Sequence, residues 1–181
     1  KAYVPVLVEV DAKTLLQGHS GGTLVAEVYI YAFDAQGSVR DFVVQSVGLD
    51  LAKAPPVLQQ TGFKFFGHLD LEPGEYTVRS FVRNGQTGAS ALRISKILVP
   101  GTDATARLLP PLFPETLGKW MIVRETIAAG EPQAAYPFMM GEAPFVPAER
   151  GRSPEMIRRW ISCCTAGSAT PISIFCCVLT V

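Results

Sequence analysis

The chain has 181 residues, 48% of them hydrophobic, and its 16 Lys and Arg residues balance its 16 Asp and Glu residues. This length and composition allow a packed core without metals or disulfides. The zero net charge disfavours nucleic acid or an anionic membrane as the main partner, because both attract basic surfaces. No apolar run reaches the roughly 20 residues of a transmembrane helix, and the longest covers residues 171–181.

Six segments alternate apolar and polar side chains with the period of half-buried β-strands. They cover residues 3–10, 23–33, 38–47, 63–71, 76–83 and 89–99. The segment at 23–33 is apolar on both sides and is expected at the centre of a sheet, whereas Pro5 indicates that 3–10 is an edge strand or the first strand. Turn residues separate the strands, and no amphipathic helix of normal length intervenes. The predicted fold class is therefore all-β, an antiparallel sandwich.

A structural corner is predicted where the fifth strand begins. Pro73 and Gly74 suit the central positions of a type II turn, and Tyr76 follows at the start of the strand. This Leu-x-Pro-Gly-x-Tyr pattern resembles the tyrosine corner of immunoglobulin-like and fibronectin type III-like sandwiches, in which the Tyr hydroxyl bonds back to the backbone. Asn84 and Gly85 then mark a hairpin.

The composition changes after the sixth strand. We predict a β-sandwich domain at residues 1–100, a Pro-rich linker at 101–118, a partial second β unit at 119–150 and an atypical tail at 151–181. The tail holds all the cysteines of the chain, Cys163, Cys164, Cys176 and Cys177. Their adjacent pairing lacks zinc spacing. Two disulfides between the pairs are an alternative in an exported protein, but unpaired thiols in an unstructured or non-native tail are favoured.

The order of the motifs resembles one bacterial family over residues 1–149. The motifs are Tyr-Val-Pro-Val-Leu-Val-Glu-Val, Ala-Glu-Val-Tyr-Ile-Tyr-Ala-Phe-Asp, Leu-Asp-Leu-Glu-Pro-Gly-Glu-Tyr-Thr-Val-Arg, Val-Arg-Asn-Gly-Gln-Thr-Gly, Leu-Pro-Pro-Leu-Phe and Tyr-Pro-Phe followed by Pro-Phe-Val-Pro-Ala. They resemble the region C-terminal to the von Willebrand factor A-like domain in VWFA-related proteins, which are prominent in Acidobacteria.

The resemblance implies an exported protein, periplasmic or extracellular. Its partners would be other domains of the parent protein or an envelope or extracellular protein. The Asp-x-Ser-x-Ser metal motif of A-like domains is absent, so no metal chemistry is carried over. The chain departs from the family pattern after about Glu149, which motivates the hypothesis that 151–181 come from a shifted reading frame. Because it starts at Lys1 without a Met, we expect a fragment or a mature product.

An aromatic stripe on the second strand is the candidate ligand or partner surface. Tyr29, Tyr31 and Phe33 share one strand face, and Phe42 and Phe81 are expected in the same layer. Such stripes can stack on sugar rings or grip a partner, although burial against another sheet or domain is their commoner role.

Two other patterns suggest chemistry less strongly. Residues 18–22 match the Gly-x-Ser-x-Gly elbow of serine hydrolases at Ser20, but a strand follows where that motif requires a helix. His68 and Asp70 could orient an imidazole for base or metal duty. They share a strand face with Lys64 and Phe66, and a solvated polar face is favoured instead.

Nucleic-acid binding is not favoured by the basic residues of the tail, because the cluster is short and the chain is neutral. These residues are Arg150, Arg152, Arg158 and Arg159. We predict no catalytic, cofactor-binding or metal-binding residue and no cofactor. The predicted function is that of a non-catalytic module with a structural or protein-interaction role. The alternatives are a carbohydrate-binding module using the aromatic stripe and, less favoured, a serine hydrolase at Ser20.

Overall fold

The computed structural model describes residues 1–101, 112–126, 135–148 and 177–180. This part of the chain is all-β with two short helices. The elements are β1 (Ala2–Asp11), α1 (Ala12–Leu15), β2 (Thr23–Phe33), β3 (Val39–Asp50), α2 (Pro56–Gln60), β4 (Gly62–Leu71), β5 (Gly74–Asn84), β6 (Ser90–Val99), β7 (Met121–Arg124), β8 (Met139–Met140), β9 (Ala143–Pro144) and β10 (Cys177–Thr180).

Two four-stranded sheets form the body of the protein. The first sheet has the order β10-β1-β4-β7 and the second has the order β3-β2-β5-β6, while β8 and β9 pair as a separate ribbon. The second sheet is antiparallel throughout, as predicted, with β2 in its interior. The first sheet is mixed, because β7 and β10 run parallel to β4 and β1. The expectation of a wholly antiparallel architecture is therefore wrong for these two flanking strands.

The main core lies between the facing sides of the two sheets. Successive strand residues point to opposite faces, so every second residue of β1, β2 and β4 enters this layer. Its fully buried members include Val4, Val6, Val8, Leu24, Ala26, Val28, Ile30, Phe63, Phe65, Leu69 and Leu71. Burial of this layer removes large apolar surfaces from water and is the main stabilising contribution of the fold.

The corner between β4 and β5 is closed by the side chain of Tyr76. Its hydroxyl donates a hydrogen bond of 2.9 Å to the carbonyl of Glu72, while its ring packs into the main core. This is the backbone contact expected of a tyrosine corner. The type II turn is wrong, because Gly74 is already the first residue of β5 and has φ +157° instead of about +80°.

Two connections around β1 depend on local chemistry that the periodicity of the strands does not reveal. Asp11 caps the short helix α1, because its carboxylate accepts a hydrogen bond from the Thr14 amide. Gly62 begins β4 at φ +111°, where a Cβ would lie 1.9 Å from the Val10 carbonyl oxygen, so only glycine fits.

Asn84 joins the end of β5 to the end of α1. Its buried carboxamide donates to the Leu15 carbonyl at 2.8 Å and accepts from the amides of Gln86 and Thr87. The Asn84–Gly85 signal therefore does precede a hairpin connection, but the chain returns only at Ser90. Asn84 has a second role as a buried link between loops.

The described residues after 111 contact the first sheet. β7 extends it beside β4, and Phe138 joins Leu7 and Phe66 in a small apolar cluster on the outer side of that sheet. The division into a domain at 1–100, a linker at 101–118 and a unit at 119–150 stays a prediction, since much of 101–118 lies outside the described residues.

Most of the tail also lies outside the described residues. This applies to Cys163, Cys164, Cys176, Arg150, Arg152, Arg158 and Arg159. Cys177 is the first residue of β10, which pairs with β1 from Val6 to Glu9. No helix in the described part of the chain combines the length and apolarity needed to cross a membrane.

We expect Tyr76→Phe to lower the free energy of unfolding by about 1 kcal/mol, because the substitution removes one partly buried hydrogen bond and keeps the ring. Urea denaturation measures the change. The control is Tyr29→Phe, which removes a hydroxyl bonded only to the Glu27 side chain. Equal stability of Tyr76→Phe and the wild type would contradict the importance of the corner bond.

Candidate interaction surface

The side of the second sheet that faces away from the core is here called the outer face. Residues of its four strands lie opposite one another in straight rows, in the order β3, β2, β5 and β6. One row is Val44, Tyr29, Phe81 and Leu92, and the next is Phe42, Tyr31, Arg79 and Ile94. The outer face thus carries a continuous apolar and aromatic area across the whole sheet.

Several of these side chains are exposed although they are large and apolar. Phe42 and Leu92 are each 58% exposed, and Ile94 is 54% exposed. Tyr29, Tyr31 and Phe33 are half-buried, because they pack only against their neighbours on the same face. No described segment covers the outer face, so the predicted burial of the stripe against another sheet or domain does not occur among the described residues.

Ring contacts run sideways along the outer face. Tyr31 stacks on Phe42 with centroids 5.7 Å apart and an interplanar angle of 21°, and Tyr29 lies 5.9 Å from Phe81. The predicted shared aromatic layer is therefore present. The Arg79 guanidinium lies 4.7 Å above the Phe33 ring, which fixes a cation at this end of the layer.

At the end of the sheet opposite Phe33, the aromatic rows are followed by a row that contains the charged pair Glu27 and Arg83. Arg83 Nη2 lies 2.6 Å from Glu27 Oε2, and the Tyr29 hydroxyl donates to the same carboxylate oxygen at 3.1 Å. This hydrogen bond to Glu27 raises the pKa of Tyr29. The Tyr29 hydroxyl therefore stays protonated and donates to Glu27, while the Tyr29 ring contacts Phe81.

The outer side of the first sheet is organised differently, because described residues of 112–148 cover it. At its centre Lys64 is fully buried, with Nζ 2.9 Å from Glu9 Oε2 and 2.9 Å from the Pro147 carbonyl. Glu115 Oε1 lies 3.6 Å from the same nitrogen, and the Trp120 ring lies 4.9 Å from it. The solvated polar face expected around Lys64 and Phe66 is wrong, because both residues are buried.

Glu115 is the acidic hub of this cluster. It accepts hydrogen bonds from Lys119 Nζ at 2.9 Å and from Trp120 Nε1 at 3.3 Å. Burial alone would raise the pKa of Glu115. The hydrogen bond from Lys119 and the charges of Lys64 and Lys119 outweigh burial and hold the pKa below its usual value.

His68 pairs with a residue other than Asp70, the partner considered as an alternative. Its Nδ1 pairs with Glu125, which follows β7, and its ring stacks on Tyr3 with centroids 4.9 Å apart. Asp70 is exposed, and its backbone amide donates a hydrogen bond to the Asp41 carboxylate, so the alternative His68–Asp70 pair does not form. Burial and the nearby Glu125 raise the pKa of Tyr3 to about 12, and its hydroxyl donates to the Ala135 carbonyl.

Ser20 is exposed in the loop before β2. The strand β2 starts at Thr23, where an elbow motif needs a helix. Of the two histidines, His19 contacts Asn84 and His68 pairs with Glu125. The described residues contain no cluster of three or more His, Cys, Asp or Glu side chains that could hold a metal ion.

Sequence reasoning found the aromatic stripe but missed the Lys64 cluster. A Lys in a strand otherwise rich in Phe was the available signal, since residues 63–66 read Phe-Lys-Phe-Phe. Comparisons with protein-family models, with curated proteins and with solved structures find no match for the chain.

We expect Lys64→Met to lower the free energy of unfolding by about 3 kcal/mol or more, because it leaves two carboxylates with little exposure facing a buried apolar group. Chemical denaturation measures the loss. The matched control is Lys119→Met, which removes the more exposed partner of the same Glu115 and should cost less than about 1 kcal/mol. Equal costs for both variants would contradict the central role of Lys64.

The lowered pKa of Glu115 gives its ion pairs a defined pH dependence. These ion pairs contribute fully to stability above the unfolded-state pKa of 4.5. Their contribution is lost as the pH falls through the lower pKa that Glu115 has in the folded state. Between about pH 5 and pH 3, Glu115→Gln should therefore lose less free energy of unfolding than the wild type does. Denaturation curves across this range measure the difference. The control Glu142→Gln, at an exposed position, should parallel the wild type.

Proposed function

We propose that this protein is a non-catalytic β-sandwich module that binds a protein partner through the outer face. The observation that carries the proposal is the exposed apolar area formed by two rows of side chains across all four strands of the second sheet. Contiguous exposed apolar patches of several hundred Å² are uncommon on monomeric proteins and mark interaction sites. An open sheet face suits another protein surface better than a small molecule, which needs a concave site.

We further propose that the fold is immunoglobulin-like. The order β3-β2-β5-β6 matches the C′-C-F-G sheet of variable-type domains, and the adjacent strands β1 and β4 match B and E. In this assignment Tyr76 lies near the start of strand F, where the tyrosine corner belongs. The positions beside β1 and β4 are taken by the parallel strands β10 and β7, which the usual pattern does not contain.

The resemblance to VWFA-related bacterial proteins supports a location and a class of partner for this module. In that setting the module belongs to an exported, periplasmic or extracellular protein, and the outer face binds another domain of the parent protein or an envelope or extracellular protein. No cofactor is needed for such binding.

Carbohydrate binding is the second candidate. The near-parallel rings of Tyr31 and Phe42 favour it, because exposed flat rings can stack on sugars. If this is the function, Tyr31→Ala will abolish the retardation of the protein in polysaccharide-containing native gels. Migration of the wild type that no polysaccharide alters would exclude the candidate.

Site-specific photo-cross-linking tests the protein-binding function. A benzoylphenylalanine replaces Phe42 in the protein expressed in its own cells. It should form covalent adducts with protein, because Phe42 is exposed on β3 beside the aromatic rings of the outer face. The matched control is position 117, where Leu117 is 90% exposed but lies in the loop before β7. Absence of protein adducts at position 42, or equal yields at both positions, would overturn the proposal.

A further inference from the structure

The outer face has an internal symmetry about the line between β2 and β5. In the first apolar row Tyr29 and Phe81 flank this line, and Val44 and Leu92 lie outside them. The next row repeats the arrangement with an aromatic ring and a cation, because Tyr31 flanks the line on β2 and Arg79 on β5.

The charged row at the end follows the same rule. Glu27 and Arg83 lie on opposite sides of the line and carry opposite charges, and Ser46 and Ser90 lie outside them. A two-fold axis along the strands would therefore place each residue of these three rows over one of complementary character. A two-fold dimer requires such a relation between the two halves of one surface, and in the charged row the relation also serves the Glu27–Arg83 ion pair within one chain.

We propose that the partner of the outer face is a second copy of this chain, bound face to face about a two-fold axis that runs along the strands between β2 and β5. Glu27 of one copy then faces Arg83 of the other, and Arg79 faces the Tyr31 ring. The aliphatic pair Val44 and Leu92 meets across the interface. This inference rests on the proposed function, since it names the partner of the same surface.

The size and packing of the face are compatible with a dimer. Four strands at about 4.8 Å spacing and three rows about 6.7 Å apart give a projected area of about 400 Å². Side-chain relief brings the accessible area of such a face toward the roughly 800 Å² per partner of a specific interface. Sheets that pack face to face keep their strand directions within about 30°, which an axis along the strands provides.

Analytical ultracentrifugation of the full chain from micromolar to millimolar concentration tests the dimer. We expect a monomer–dimer equilibrium that Leu92→Asp weakens at least about tenfold, because it buries two carboxylates at the interface. The matched control Leu117→Asp should leave the dissociation constant unchanged, since Leu117 lies outside the outer face. A chain that stays monomeric throughout, or a dimer that Leu92→Asp does not weaken, would overturn the inference.

A charge exchange tests the geometry of the dimer. Glu27→Arg and Arg83→Glu should each weaken the dimer, because like charges then meet both within one chain and across the two-fold axis. The double exchange should restore the dimer, because it returns opposite charges to both places. Thermal melts at low concentration verify that each variant folds. Failure of the double exchange to restore the dimer would overturn the placement of the axis.

Cross-linking and sedimentation together distinguish the dimer from the broader proposal of protein binding. Adducts of position 42 with a different protein, together with a monomeric chain, would refute the dimer and leave the proposed function intact. The absence of any protein adduct, together with a monomeric chain, would refute both.

Discussion

The buried ammonium group of Lys64 is the constraint on which the covering of the first sheet's outer side depends. A cation without access to water must be surrounded by acceptors, and here they come from β1, from the segment before β7 and from the Pro147 carbonyl. These contacts hold the described residues of 112–148 against the first sheet. Together with the Leu7, Phe66 and Phe138 cluster, they leave little of that side of the sheet in contact with water.

The two outer sides therefore differ in kind. The first is covered by the chain itself, and its polar groups are paired internally, as His68 is with Glu125. The second presents Phe42, Leu92 and Ile94 to the surroundings, with the Glu27–Arg83 ion pair at one end of the apolar area and Arg79 within it. The described residues thus cover one side and leave the other exposed, which is the basis for our proposal that another molecule completes the exposed side.

Much of the fold could be predicted from the sequence, because strand periodicity is a local property. The strand at 23–33 has the predicted bounds, and Tyr76 makes the expected corner contact. The parallel pairing of β7 with β4 could not be predicted, since it joins residues more than fifty positions apart and leaves no local pattern. Periodicity also assigned Lys64 to a face without telling whether that face is covered. The aromatic stripe was visible in β2, but its rows depend on the registers with β3, β5 and β6.

The separation of 83 positions between Lys64 and Pro147 has a consequence for biosynthesis. At about 5–20 residues per second, translation needs roughly 4 to 17 seconds to add the carbonyl that completes the Lys64 cluster after Lys64 itself is made. Before Phe138 is translated, β1 to β6 have all been synthesised, while Leu7 and Phe66 still lack Phe138. The nascent chain therefore passes through a stage in which both outer sides expose apolar residues, and chaperones that recognise such surfaces have their opportunity before residue 147 is translated.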